Sequence, residues 1–332
     1  MATQSLIGTH NGKFHCDEVF ACYMLKKLPM FSNHSIVRTR DPQILNGCDV
    51  VVDVGGVYDH QRMRYDHHQR DFAETMQSIV GLPFQTKLSS AGLIYAHYGK
   101  AVIGSILGLP AEDADVGKLY EQIYKKFVEA IDAIDNGVNQ FDGLPRYQLS
   151  STFGSRVEHC NPAWNEEAPD PEKGFQKAMA IVEEEFEQRV RSLHTAWLPA
   201  RNIVLAAVEK RNEVHPSGKI LLFHKSGGVP WKDHFFQLEK ELGLKSAGIC
   251  LVLYNDSTNN TWRVQTIPVS ELCPFDSRIS LPWKGYRDGE LEKESRIDGA
   301  IFVHANGFIG GTKTMEGALK LADETLRSSQ ML

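Results

Sequence analysis

Three absences narrow this sequence before any motif is read. No apolar run approaches the roughly 20 residues that cross a bilayer, so a membrane-spanning helix is not expected. No CxxC spacing occurs. The six cysteines, Cys16, Cys22, Cys48, Cys160, Cys250 and Cys273, are scattered, which excludes a paired-thiolate zinc motif and leaves reduced thiols as the expectation. Positive charge is not in excess either: 36 Lys and Arg stand against 42 Asp and Glu, a net charge of −6. The chain is therefore no bulk polyanion binder, and any nucleic-acid contact has to come from a local groove. Internal repeats and low-complexity tracts are missing. The opening residues MATQSLIGTH have the layout of neither a signal nor a transit peptide, so nucleus and cytoplasm are the expected compartments.

What is present reads as an ordinary folded protein, with 42% hydrophobic and 23% charged residues over 332 positions, enough for two domains. "SLIGTH" and "SIVRTR" are strand-like, and a helix starting near Asp17 carries "EVFACYMLKKL". The run "CDVVVDVGG" is β-branched almost throughout and ends in two glycines, which suits a strand buried on both faces of a parallel sheet. From Ser89 the apolar spacing turns helical, through "SSAGLIYAHYGKAVIGSILG" and "VGKLYEQIYKKFVEAIDAID". A proline-rich acidic loop, "CNPAWNEEAPDPEKG", precedes a long helical segment expected to kink at Pro199 and run on to about Arg211. Past residues 215–218 strands return in "KILLFH", "GICLVLY", "TWRVQTIPV" and "GAIFVHA", and a last helix starts near Thr314. The expected architecture is α/β: a parallel-sheet domain over 1–165, a helical linker over 166–214, and a smaller α/β domain over 215–332.

Acidic and imidazole residues collect where these strands should end. His10, His15, Asp17 and Glu18 follow the first strand, Asp53 closes the "DVVVDVGG" run, and Asp66, His67 and His68 sit together in "YDHHQR". Functional side chains of open α/β sheets gather outside the carboxyl ends of the strands, so three such clusters can meet. Each has a plainer reading alone. Asp17 and Glu18 suit the first turn of a helix, and Asp53 suits a turn before glycines. Carboxylates mixed with imidazoles, without thiolates, favour Mn²⁺, Mg²⁺ or a catalytic Zn²⁺. The set exceeds the needs of one ion. Two divalent ions about 3.5–4 Å apart, with Asp53 as the shared carboxylate, would use it. Asp132 and Asp135 lie one turn apart on an otherwise apolar face, and either can add a carboxylate.

Substrate contacts are less marked. Arg70, Lys87 and Lys313 are candidate phosphate contacts, and Trp164, Trp262 and Phe308 are candidate base-stacking residues, with core packing as the alternative for the aromatics. Gly307, Gly310 and Gly311 allow a phosphate close to the backbone, or simply make a turn.

In chain order, "IGTHNGKFHCDE", "VRTRDP", "CDVVVDVGG", "YDHHQR", "TKLSSAGLIY", "DAIDNG" and "FVHANGFIGG" span nearly the whole sequence. With these motifs the chain resembles the DHH phosphoesterase superfamily, and within it the Myg exonuclease family. That resemblance implies an N-terminal α/β domain holding two divalent ions, usually manganese or magnesium, and a smaller C-terminal domain that closes over substrate. It implies ligand roles for His10, His15 and Asp17, a bridging role for Asp53, and the two name-giving histidines at His67 and His68. Asp135, ahead of Asp132, would be the last carboxylate. Asp53, Asp17 and His68 would be the catalytic residues, with His68 acting as an acid or as an outer ligand.

Two departures stand out. His15 takes the place of the usual first aspartate, one residue further along, and imidazole favours Mn²⁺, Fe²⁺ or Zn²⁺ over Mg²⁺. In the C-terminal substrate motif, His304 comes before the glycines instead of after them. The implied activity is 3′–5′ exonuclease cleavage of single-stranded RNA. A phosphoesterase or pyrophosphatase for small molecules or short oligonucleotides is the second reading, which the acidic net charge favours. A non-catalytic, metal-stabilised RNA-binding protein is the third. Family members are associated with the nucleus and mitochondrion. No membrane partner is implied, and no oligomeric state.

Overall fold

The computed structural model describes residues 5–224 and 228–330. They fall into two compact units, divided between His194 and Thr195.

The first unit opens with β1 (Leu6–Thr9), α1 (Cys16–Lys27), β2 (Ser35–Arg38), α2 (Pro42–Asn46) and β3 (Val50–Val52). The short strands β4 (Tyr58–Asp59) and β5 (Arg64–Tyr65) complete a sheet of order β2-β1-β3-β5-β4. Strands β2, β1, β3 and β5 run parallel, and β4 pairs antiparallel with β5 at the edge. Val50, Val51 and Val52 are all buried, which is why that run carries no polar alternation. Helices α3 (Met76–Val80), α4 (Ser90–Leu107), α5 (Ala114–Ile123), α6 (Glu129–Asp135), α7 (Phe153–Glu158) and α8 (Pro171–Ser192) follow. Helix α1 is buried continuously from Asp17 to Leu25, the signature of a helix covered on all sides.

The second unit carries α9 (Leu198–Glu209), α10 (Arg211–Val214), β6 (Ile220–Phe223), α11 (Lys232–Glu241), β7 (Leu251–Asp256) and β8 (Thr261–Thr266). It continues with β9 (Pro268–Ser270), β10 (Cys273–Ser277), α12 (Asp288–Ser295), β11 (Ala300–Val303), β12 (Ile309–Thr312) and α13 (Met315–Ser328). Its main sheet has the order β11-β12-β8-β7-β6, parallel only between β6 and β7. Apolar layers cover both faces. Leu251, Leu253 and Val264 pack with Leu291, Ala318 and Leu321, while Leu221 and Val252 pack with Val204, Val208 and Phe235.

The helical segment expected as a separate linker over 166–214 is instead shared between the units. Phe175, Ala178, Val182, Phe186 and Val190 form the buried stripe of α8. Phe186 meets Phe20 of α1 at 4.9 Å between ring centroids, and Phe175 meets Phe14 at 5.5 Å. Burying such side chains is worth roughly 1.5–3 kcal/mol each, so α8 is held as part of the first core. Helices α9 and α10 belong to the second unit. A π-helical turn, Leu193–Trp197, precedes α9, and Pro199 occupies its first turn, where the missing N–H costs least. No helix among the described residues is long and apolar enough to cross a membrane.

Candidate metal centre

Because β1, β3 and β5 are parallel neighbours, the residues that follow them emerge along one edge of the sheet. His10 follows β1, Asp53 follows β3, and Asp66, His67 and His68 follow β5. Asp53 has φ of +58°, a left-handed conformation that Asp tolerates better than most residues. Its N–H donates to the Tyr65 carbonyl at 3.0 Å, locking it against β5. Gly56, also left-handed, then turns the chain back, its N–H donating to Asp66 Oδ2 at 2.6 Å.

Asp53 is the hub. Its Oδ2 lies 3.3 Å from His10 Nε2, and its Oδ1 lies 3.3 Å from His67 Nε2 and 3.6 Å from His68 Nδ1. His67 Nε2 is also 3.0 Å from Asp135 Oδ2. His10 Nε2 is 2.9 Å from Glu18 Oε1, and both Glu18 oxygens accept from the His15 N–H at 2.9 Å, closing the first turn of α1. Asp17 Oδ2 accepts from Ser90 Oγ at 2.7 Å, at the start of α4. His68 is largely exposed, and its Nδ1 sits 2.7 Å from Asp66 Oδ1, so Asp66 fixes the ring and leaves Nε2 facing outward.

Most of these groups are buried, and they lie close enough to shift one another's protonation. Burial, then the carboxylates of Asp53, Asp135 and Glu18, push the Asp17 carboxyl well above its usual range. Burial alone would lower the His10 imidazole, but Asp53 and Glu18 outweigh it and raise it to about 10. Asp135 and Asp53 do the same for His67, also to about 10. Burial would raise Asp53, yet the two imidazoles hold it at about 2. Asp17 Oδ1, Asp53 Oδ1 and both ring nitrogens of His67 are buried without an aligned hydrogen bond. The His67 contacts are thus close in distance but poorly aligned for hydrogen bonding, and a divalent ion that displaced the imidazole proton would find ring nitrogens and carboxylate oxygens already gathered there.

Three overlapping donor sets have atoms within 4.8 Å of one another: His10, His15, Glu18 and Asp53; Asp53, His67 and His68; and His15, Asp17 and Asp135. Asp53 joins the first two, and His15 joins the first and third. An oxygen and imidazole set of this kind suits Mn²⁺ or Zn²⁺. All seven residues named from the sequence as ligands are in these sets. Glu18, recognised there only as part of the first cluster, joins them.

Asp132 is used otherwise. Its Oδ1 accepts from the Ser89 N–H at 3.0 Å and from Ser89 Oγ at 2.7 Å, and its Oδ2 accepts from the Tyr124 hydroxyl at 2.9 Å. It packs so closely on Gly92 that an added Cβ would lie 2.4 Å from its oxygens. The π-helical turn Tyr124–Val128 precedes α6, which carries both carboxylates. Asp132 braces α4, and Asp135 faces the histidines.

Two residues that the sequence did not single out hold the ligand-bearing loop. Asn161 accepts from the Phe14 N–H at 3.0 Å and donates to the Phe14 carbonyl at 2.9 Å. Arg38 donates to the Gly12 carbonyl at 2.6 Å, its guanidinium lying over the rings of Phe14 and Phe175. His10 and His15 are thereby set from both sides of the loop. Neither residue has a local signal, since each acts on a segment distant in sequence.

The expected substrate contacts divide. Lys87 Nζ lies over the Phe72 ring, and that ring meets His67 edge-on, so Lys87 flanks the centre. Arg70 is exposed nearby in sequence, and Trp164 is 97% exposed. The others lie in the second unit. Trp262 packs on its core, and Phe308 lies against His304 at 4.7 Å. Gly307 is a left-handed turn residue between β11 and β12. Gly310 and Gly311 are strand residues where a Cβ would come within 3.0 Å of Leu321 and 2.5 Å of Phe302, so packing explains them. Lys313 is exposed, 4.0 Å from Glu292. His304 lines a cavity of about 390 Å³ with Arg287, Phe302 and Gly285.

Comparison with known proteins adds the family. The model for the MYG1 exonuclease family, described as an uncharacterised protein family (UPF0160), matches residues 6–326. A MYG1 protein of Caenorhabditis elegans is 52% identical over 97% of this chain and 95% of its own. The MYG1 exonuclease of Bos taurus is 54% identical over 96% of this chain and 84% of its own, and that of Homo sapiens 51% over 98% and 87%. An exopolyphosphatase-related protein of Bacteroides fragilis aligns over 99% of this chain and 93% of its own, at 12% identity and a TM-score of 0.21, too slight a likeness to bear on chemistry. The chain belongs to the MYG1 exonuclease family.

Proposed function

We propose that the first unit is the catalytic half of a metal-dependent phosphodiester hydrolase of the DHH phosphoesterase type, acting as a 3′–5′ exonuclease on single-stranded RNA. The observation that carries this is Asp53, shared between two donor sets in a chain whose relatives bear the name exonuclease. His10, His15, Glu18 and Asp53 would hold one divalent ion, and Asp53, His67 and His68 a second, with Asp17 and Asp135 as further carboxylates beside them and Mn²⁺ the best match to the imidazole content. Bound ions of this kind acidify water and neutralise charge on phosphoryl oxygens.

The remaining work falls to the chain's own side chains. Asn161 and Arg38 keep His10 and His15 in place, as outer partners of ligands do. Hydrolysis forms one P–O bond from water and breaks the P–O3′ bond, and the leaving oxygen must gain a proton. His68, oriented by Asp66 and exposed at Nε2, is placed to deliver it. Lys87 and Arg70 would meet the phosphate oxygens.

The test uses purified protein with Mn²⁺, end-labelled single-stranded RNA, short oligonucleotides and pyrophosphate, beside an Asp53→Ala control. Stepwise 3′ shortening of RNA that is lost in the control is the expected result. Cleavage restricted to dinucleotides or pyrophosphate supports a small-substrate phosphoesterase instead. RNA binding without a metal-dependent product overturns both.

A further inference from the structure

One surface segment is unexplained by the metal centre or by either core. From Asn136 to Thr152 the chain has no helix or strand, and every residue from 137 to 151 is exposed. Irregular loops longer than about 12–15 residues are uncommon in compact domains, and are usually either functional or linkers. Its composition is unlike that of a solvated loop. Phe141 is 51% exposed, Tyr147 75%, Leu149 62% and Leu144 94%. Four large apolar side chains exposed within one short segment are more than a solvated loop needs.

Its ends say where that partner lies. The segment leaves α6 immediately after Asp135, whose carboxylate faces His67. It returns at α7, where Phe153 packs on Phe127 and a Cβ added to Gly154 would lie 4.0 Å from Cys16, the residue between His15 and Asp17. Both ends are thus tied to turns that carry proposed ligands. Around the centre itself the protein is acidic, with Asp17, Glu18, Asp53 and Asp135. The chain as a whole has a charge of −6, so phosphate attraction alone is a weak grip. Aromatic rings hold nucleobases without charge and without regard to sequence. Arg146, exposed between Phe141 and Tyr147, places one cation in the same segment.

We propose that residues 137–151 form a stacking platform that holds the bases of a single-stranded nucleic acid at the mouth of the metal centre, with Phe141 and Tyr147 as the stacking residues. This rests on the nuclease reading above. The test is steady-state hydrolysis of a single-stranded RNA oligonucleotide with Mn²⁺ by the wild type, by Phe141→Ala/Tyr147→Ala and by Phe141→Trp/Tyr147→Phe. Size-exclusion chromatography and Mn²⁺ binding are measured on the same samples.

The alanine pair is expected to raise KM at least about fivefold, more than it lowers kcat, with Mn²⁺ binding retained; the aromatic pair restores KM. An unchanged KM in the alanine pair overturns the platform while leaving the nuclease reading intact. A shift in oligomeric state at unchanged KM also overturns it and assigns the loop to a second copy of the chain. A wild type that neither binds nor cleaves nucleic acid ends both.

Discussion

Asp53 Oδ1 and His67 Nε2 stand 3.3 Å apart, both buried, and no hydrogen bond joins them. On the other side of the same carboxylate, Oδ2 stands 3.3 Å from His10 Nε2. One side chain at the end of a central strand thus faces two imidazoles that come from its two neighbouring strands. Removing it should undo both donor sets together. Asp53→Ala is expected to abolish metal-dependent hydrolysis by well over about 100-fold, since losing even an outer partner of a ligand costs about 10–100-fold. Asp53→Asn, which keeps the shape but loses the charge, should fall nearly as far. Rates at saturating Mn²⁺ check this.

Proton release should accompany ion binding. In the ion-free protein the His10 and His67 imidazoles are held at about 10, so both carry protons at neutral pH. A ligand imidazole must be neutral, so Mn²⁺ has to displace those protons and its affinity should rise with pH. Calorimetry in buffers of different ionisation enthalpy measures the release. The stability of the ion-free protein follows with a definite sign. The contribution of the raised imidazoles is complete below their ordinary 6.5 and is lost as pH climbs through about 10. That of Asp53, lowered to about 2, is present above 3.8 and is lost as pH falls through 2.

Asp132 should behave as a structural carboxylate. Burial raises it to about 7 against the hydrogen bonds from Ser89 and Tyr124. Its neutral form is the one the fold prefers. The wild type should therefore lose stability relative to Asp132→Asn as pH rises from about 4 to 7, and hold level above. Gly92→Ala, which forces a Cβ to 2.4 Å from that carboxylate, should cost roughly 1–3 kcal/mol by overpacking. Thermal melts across pH check both.

Asn161 acts on the ligands through the backbone of Phe14. Asn161→Ala should weaken Mn²⁺ binding about 10-fold with little loss of melting temperature. Asn161→Asp keeps the acceptor for the Phe14 N–H but loses the donor to its carbonyl, and should fall between. Mn²⁺ titrations on folded samples separate this from a general loss of stability.

The sequence made the centre legible where chemistry and strand pattern coincide. "CDVVVDVGG" reads as a doubly buried strand, and Val50, Val51 and Val52 are indeed covered on both faces, which puts Asp53 at its exit. The "DHH" triplet and the first cluster fall at parallel strand ends for the same reason. What could not be read is what each residue faces. Asp132 and Asp135 are one turn apart, and only Tyr124 and Ser89, brought in from elsewhere, tell them apart. The stripe on α8 was visible as a helix face, but its partner, Phe20 on α1, was not. Asn161 lies in a proline-rich stretch that gives no hint of a two-point grip on Phe14.

Whether Asp53 bridges two ions is decided by manganese stoichiometry together with electron paramagnetic resonance. A centre bridged by Asp53 should bind two Mn²⁺ per chain with a spin-coupled signal, and Asp53→Ala should bind fewer, uncoupled ions. A wild type that binds a single isolated Mn²⁺ per chain, or whose signal is unchanged in Asp53→Ala, would mean that Asp53 bridges no pair of ions.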